Sequence, residues 1–149
     1  MKLNGSVTVA ATQEQVWQVL IDPVQFCGVV PGCEQARKID ETHYEAVVSI
    51  KVQFMTIRSK AKGTLLETDA PRHMAGELVG EPMSMAGAFR ARVTIDLVPQ
   101  GAGTSVQYTM DITMLGRLAS LGEAMVRSTS QQLSRQFAEN ITKLFSNRP

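Results

Sequence analysis

Alternating polarity opens the chain. Leu3, Gly5, Val7 and Val9 interleave with Lys2, Asn4, Ser6 and Thr8, the period-two pattern of a half-buried strand. Thr12 then stands at an N-cap with Glu14 in the following turn, predicting a short helix over residues 14–21 that Asp22-Pro23 ends. Residues 24–30 read as a second short helix or turn, closed by Pro31-Gly32. Strands are expected over 33–39, 43–52, 57–67, 72–80, 85–98 and 104–113, separated by turns such as Asp40-Glu41-Thr42 and Gln100–Gly103. Within 57–67, Arg58, Lys60 and Lys62 take one face while Ser59, Ala61 and Gly63 take the other. Within 85–98, Phe89, Ala91, Val93, Ile95 and Leu97 lie opposite Arg90, Arg92, Thr94 and Asp96, and Val106, Tyr108, Met110 and Ile112 point inward from the last strand. Residues 115–145 are predicted as one long helix, with Leu118, Leu121, Met125, Leu133, Phe137, Ile141 and Leu144 recurring at steps of three and four.

One strand, two short helices, six hairpin-linked strands and a long helix predict an α+β fold. About seven strands form one curved antiparallel sheet, and a single C-terminal helix is available to cover its apolar face. The 149 residues fit a single domain, 1–149. With 44% hydrophobic and 19% charged residues, the chain is neither a disordered tail nor a membrane bundle. Fifteen basic residues against 14 acidic ones leave a net charge of +1, which argues against a nucleic-acid partner. No apolar leader core opens the chain and no apolar run reaches the ~20 residues of a spanning helix, so a cytoplasmic protein is expected. Cys27 and Cys33 have no second Cys pair or His-x-x-x-His beside them, so no metal or cofactor is expected. A disulfide between them is the disfavoured reading, because the rest of the chain is not a stapled scaffold.

The expected inner face is short of bulk. Ala46, Ser59, Ala61, Gly63, Gly76, Gly87 and Ala91 occupy mid-strand positions where Val, Ile or Phe would fill space, and the facing helix adds Gly122 and Thr129. Small facing small leaves volume that a core packed to a density of about 0.75 would not leave. Two readings stand: a close helix–sheet approach, or a cavity for an apolar small molecule. On the second, Tyr44, Phe89, Tyr108, Met110, Leu118, Leu121 and Met125 complete the lining, and Tyr44, Ser59, Tyr108 and Thr129 could orient one polar group of a ligand. Antiparallel connectivity gathers the polar turns at one end of the sheet. The other end collects Val30, Pro31, Phe54, Met55, Met83, Met85, Met114 and Leu115. These either fold over and close the core or form an adaptable apolar mouth that docks on a membrane or protein.

Several strings resemble the CoxG family of carbon monoxide dehydrogenase accessory proteins, within the START-like (SRPBCC), helix-grip superfamily. They are Met1-Lys2-Leu3-Asn4-Gly5-Ser6, Val16-Trp17 before Leu20-Ile21-Asp22-Pro23, and Val30-Pro31-Gly32-Cys33-Glu34. Gly116-Arg117-Leu118-Ala119-Ser120-Leu121-Gly122 and Gln136-Phe137-Ala138-Glu139-Asn140 complete the set. The resemblance covers essentially the whole chain. It implies a helix-grip fold and a partner of the molybdenum-containing carbon monoxide dehydrogenase type, which members recruit to the membrane or serve by handling quinone. Some members carry a further C-terminal membrane-contacting segment; this chain stops at Arg148-Pro149, so the resemblance implies transient, peripheral contact at the inner membrane face through the mouth.

Catalytic signatures are sparse. His43 and His73 fall near the polar turns and read as exposed rim residues, and Cys33 has no nearby His to activate it as a nucleophile. Arg58, Lys60, Lys62, Arg90 and Arg92 form either a solvated outer face or a basic patch for an acidic partner. No inward His, Asp, Glu or Lys is expected, which favours a binding module over a cyclase- or dehydratase-like enzyme using the same cavity; an assembly factor with a collapsed cavity is the third reading.

Overall fold

The computed structural model describes residues 2–52 and 55–146. Strand β1 (Lys2–Val9) leads to helices α1 (Gln13–Ile21) and α2 (Pro23–Val29). Strands β2 (Cys33–Lys38), β3 (His43–Val52), β4 (Met55–Asp69), β5 (His73–Pro82), β6 (Ala88–Gln100) and β7 (Gly103–Leu115) follow. A 3-10 segment (Gly116–Leu121) then precedes helix α3 (Glu123–Ser146). Thr12 caps α1 in a reciprocal box: its hydroxyl accepts from the Gln15 amide at 3.2 Å while its own amide donates to Gln15 Oε1 at 2.8 Å. Asp22 ends α1 and caps α2, accepting from the amides of Val24 and Gln25.

All pairings are antiparallel, in the order β1-β7-β6-β5-β4-β3-β2. The expected alternation holds in register. Ala46, Ala61, Gly80, Phe89 and Met114 form one cross-sheet row, and Tyr44, Gly63, Leu78, Ala91 and Ile112 the next. The opposite face carries the charges. Lys60 stands across from Glu81, Lys62 across from Glu45, and Arg92 between Glu77 and Asp111. Arg58 pairs with Glu34 at 2.9 Å and Arg37 with Glu45 at 2.7 Å. Carboxylates interleave with every run of cations, so the outer face is a solvated mosaic and not a basic patch.

Three expectations need correction. The long helix does not begin at Leu115. Strand β7 runs to that residue, and Gly116 (φ +63°) and Gly122 (φ +85°) bracket the 3-10 segment before α3 starts at Glu123. Leu118 and Leu121, three apart, suit a 3-10 turn as well as an α-helix. Gly87 is not mid-strand: it lies in the loop before β6 at φ +128°, and a Cβ there would come 2.8 Å from the Leu115 carbonyl. Cys27 and Cys33 are joined in a disulfide. The short turn after α2 returns the chain so that their Cα atoms are 5.3 Å apart, within the ~4.4–6.8 Å that a disulfide requires. Cys33 is therefore no thiol nucleophile.

Two inner-face glycines are small because a neighbour's ring occupies their side. A Cβ on Gly80 would overlap the ring of Phe89, and one on Gly5 the ring of Tyr108. Gly63 differs: its Cβ would meet Leu78 Cδ1 and Tyr44 Cβ at 3.7 Å, ordinary contact. Gly80→Ala is expected to destabilise the protein by about 1–3 kcal/mol in urea unfolding. Gly63→Ala should be neutral or stabilising by up to about 1 kcal/mol. Equal losses in both would mean that the sheet has no spare room at Gly63.

Candidate functional site

Helix α3 is anchored at its C-terminal half. Ile141 and Phe145 are fully buried in a cluster with Val16, Trp17 and Leu20 of α1, Met74, Ile95, Leu97 and Val106 of the sheet, and part-buried Phe137. Tyr108 fastens the helix to β7. Its hydroxyl lies 2.6 Å from Ser134 Oγ, and its ring meets Phe137 edge-on at 5.4 Å. The Tyr108 hydroxyl is thus engaged in holding the helix to the sheet. The signal was legible in part, since Ser130 and Ser134 sit one turn apart on the buried face of the helix.

A second, separate cluster closes the far end: Val52, Ile57 and Leu118, with Ile50, Met85, Phe89, Met114, Leu121 and Met125 against them. Between the two clusters the inner faces of β4, β5 and β6 turn small, while Val48 of β3, Ile112 of β7 and Val126 of α3 keep bulk there. On β4, Ser59, Ala61 and Gly63 separate Ile57 from Leu65; on β6, Ala91 separates Phe89 from Val93; on α3, Thr129 and Ser130 fall between Met125 and Phe137. Gly76 and Gly80 do the same on β5, beside Leu78. Ala46 and Tyr44 line the interval from β3 and Met110 from β7. Ser59, Ala61, Ala91 and Ser130 are buried here but belong to neither cluster.

A surface cleft of about 690 Å³ lies beside this interval and meets it at Thr129. Strand β2 begins opposite Val48, so residues 50–52 of β3 run past it with one edge unpaired by β2. The cleft lies between that end of β3, at Lys51, and the start of α3. Leu121, Gly122, Met125 and Thr129 line it together with Glu123, Ala124, Ser128 and Gln132, which lie outside the apolar stripe read from the sequence.

The mouth residues divide. Met55, Met83 and Leu115 are exposed by 44%, 45% and 46%, while Met85 and Met114 turn inward onto Leu118 and Phe89. Val30 and Pro31 are half-buried in the turn between α2 and β2, beside the start of β2. Phe54 lies outside the described residues.

Two ionisable groups, Lys51 and Glu123, line the cleft, and both histidines lie elsewhere. Among the described residues the buried polar side chains are Ser59, Thr104, Ser105 and Ser130, and Thr104 donates to the Ala11 carbonyl at 2.7 Å. His43 is exposed, 2.8 Å from Asp40 Oδ1. His73 is more enclosed than a rim residue. Its Nδ1 lies 2.7 Å from Asp96 and its Nε2 3.1 Å from Glu67. Those two carboxylates, Asp96 foremost, raise the imidazole's pKa above its ordinary value of 6.5.

Matches with known proteins agree with this architecture. The family model for the carbon monoxide dehydrogenase subunit known as CoxG matches residues 5–146. A conserved protein of Geobacillus kaustophilus superposes with a TM-score of 0.86 at 26% identity, over 98% of this chain and 95% of that one. The ZhuI aromatase/cyclase from Streptomyces sp. R1128 follows at TM-score 0.74 and 15% identity, over 99% and 94%. A START superfamily protein from Mycobacterium smegmatis gives 0.73 and 12%, over 97% of each chain. No curated protein matches. The fold is START-like, a helix grip.

The raised pKa of His73 has a signed consequence. The imidazolium's ion pairs are fully present below the unfolded value of 6.5, and their contribution is lost as pH rises through the folded value. The stability gap between the parent and His73→Gln should therefore be widest near pH 6 and shrink at higher pH. Urea titrations across pH 6–9, with an NMR titration of the ring, check this; a gap that widens with pH would contradict the assignment.

Proposed function

Because the chain belongs to the CoxG family of carbon monoxide dehydrogenase subunits, we propose that it binds one hydrophobic small molecule, lipid- or quinone-like, between sheet and helix, as a non-catalytic accessory to a carbon monoxide dehydrogenase-type enzyme. The carrying observation is the break in the core. Two apolar clusters close the ends, and Ser59, Ala61, Gly63, Ala91, Thr129 and Ser130 occupy the interval between them. Tyr44, Val48, Leu78, Ile112 and Val126 stand among or beside them, so the small residues supply room for one bound molecule and not an empty layer. Beside it lies a cleft whose lining combines apolar Leu121, Ala124 and Met125 with polar Lys51, Glu123, Ser128 and Gln132. That mixture suits a molecule with an apolar body and one polar end.

Binding is favoured over turnover by the chemistry of the interior, whose buried polar side chains among the described residues are hydroxyls, while Lys51 and Glu123 stay at the cleft. The likeness to an aromatase/cyclase, at 15% identity, concerns the fold. Among the described residues no helix is long and apolar enough to cross a membrane. Met55, Met83 and Leu115 instead offer peripheral contact. Each side chain leaving water contributes at most about 1.5–3 kcal/mol, enough for reversible docking on a bilayer or partner enzyme and too little for permanent anchoring.

The test fills the interval. Ala61→Leu with Ala91→Leu should lower affinity for the apolar fluorophore N-phenyl-1-naphthylamine by more than about ten-fold while unfolding stability changes by less than about 1 kcal/mol, since the added methylenes enter open space. Destabilisation of about 1–3 kcal/mol or more, with no saturable fluorophore binding by the parent, would mean that the interval is already packed.

A further inference from the structure

The wall between the open cleft and the buried far-end cluster is thin, and it is made by one short segment. Leu121 and Met125 belong to both: each lines the cleft and each packs on the cluster of Val52, Ile57 and Leu118. Leu121 belongs to the 3-10 segment, residues 116–121, whose construction is unusual. A positive-φ glycine stands at its first residue and another just past its last: Gly116 at +63° and Gly122 at +85°. Gly122 has ψ 152°, a backbone region essentially confined to glycine, and a Cβ there would meet nothing within 4 Å. The constraint at Gly122 is therefore conformational and not one of space.

The segment is held down chiefly by one side chain. Leu118 is 2% exposed, whereas its neighbours Arg117, Ala119 and Ser120 are exposed. Among the described residues, the segment's side-chain hydrogen bond, Ser120 Oγ to the Arg117 carbonyl at 2.6 Å, stays inside it. Beneath lies a backbone seat. A Cβ on Gly116 would stand 3.0 Å from Gly87 Cα, and one on Gly87 would stand 3.1 Å from the Leu118 amide nitrogen. Glycine on glycine lets the segment settle flat, with few contacts to break when it lifts.

We propose that residues 116–121 are a hinged gate on the binding site, with Gly116 and Gly122 as hinges, Leu118 as the plug and Gly87 as the seat. Lifting the segment withdraws Leu118 and Leu121 together and joins the cleft to the small-residue interval. Hinges of this kind are few, terminal to elements, and absorb the φ/ψ change while the flanking elements stay rigid. Here β7 on one side and α3 on the other remain in place. The gate rests on the ligand-binding reading for its purpose, though its motion is measurable without any ligand.

Leu118→Cys makes that motion visible, because the native cysteines are paired and silent toward 5,5′-dithiobis(2-nitrobenzoate) under non-reducing conditions. The variant should label faster than global unfolding allows. Adding Gly122→Ala, which penalises the closed backbone, should raise the labelling rate by about ten-fold. Gly122→Ala alone should speed both uptake and release of N-phenyl-1-naphthylamine. In the unmodified protein, amides of residues 116–121 should exchange with deuterium far sooner than those around Ile141. Labelling of Leu118→Cys only at the global unfolding rate, or amide exchange in 116–121 as slow as at Ile141, overturns the gate. Rapid labelling in a protein that takes up no fluorophore keeps the hinge and overturns the ligand-binding reading.

Discussion

A single helix has to cover the apolar face of seven strands, and it is fastened along only part of its length. The C-terminal half of α3 is locked by Ile141, Phe145, Phe137 and the Tyr108–Ser134 hydrogen bond. The N-terminal half is held more lightly, by Met125 against the far-end cluster, with Val126 and Ser130 buried between the two clusters. Anchoring at one end fixes the helix's position and leaves the other end to define volume. The separation of the core into two clusters follows, and so does a cleft at the open edge of β3.

The same asymmetry sorts the chemistry. Charged and titratable groups sit on the outer face and around the polar turns, where water and neighbouring carboxylates satisfy them, as His73 shows between Asp96 and Glu67. Among the described residues the interior keeps only hydroxyls as its buried polar side chains. Such a division suits a protein that shelters an apolar molecule and releases it unchanged. The chain that shows this division is a member of the CoxG family.

Much of this was legible in the sequence because period-two alternation and turn residues are local signals. The faces of β4, β6 and β7 were readable from Ser59-Lys60-Ala61-Lys62, Phe89–Leu97 and Val106–Ile112, and the anchoring stripe of α3 from Phe137, Ile141 and Leu144. What escaped depends on register or on backbone conformation. Gly80 carries no mark in its own strand; its role appears only when Phe89, one strand over, proves to occupy its side. Leu118, Leu121 and Met125 keep a helical spacing straight through a helix boundary, because steps of three and four do not distinguish a 3-10 turn from the start of an α-helix. The pairing of Cys27 with Cys33 depends on how tightly the chain turns after α2, which a spacing of six residues does not specify. Lys51 and Gln132 reach the cleft because β3 outruns β2, a fact of strand length visible only in the assembled sheet.

The central claim is that the interval between the two clusters holds one apolar molecule. Native mass spectrometry of the intact chain after incubation with a total lipid extract tests it most directly. The account predicts a single adduct of one molecule per chain, removed by organic extraction and greatly reduced when Ala61 and Ala91 are both replaced by Leu. A bare chain mass, or a ladder of several adducts indifferent to those replacements, would contradict it.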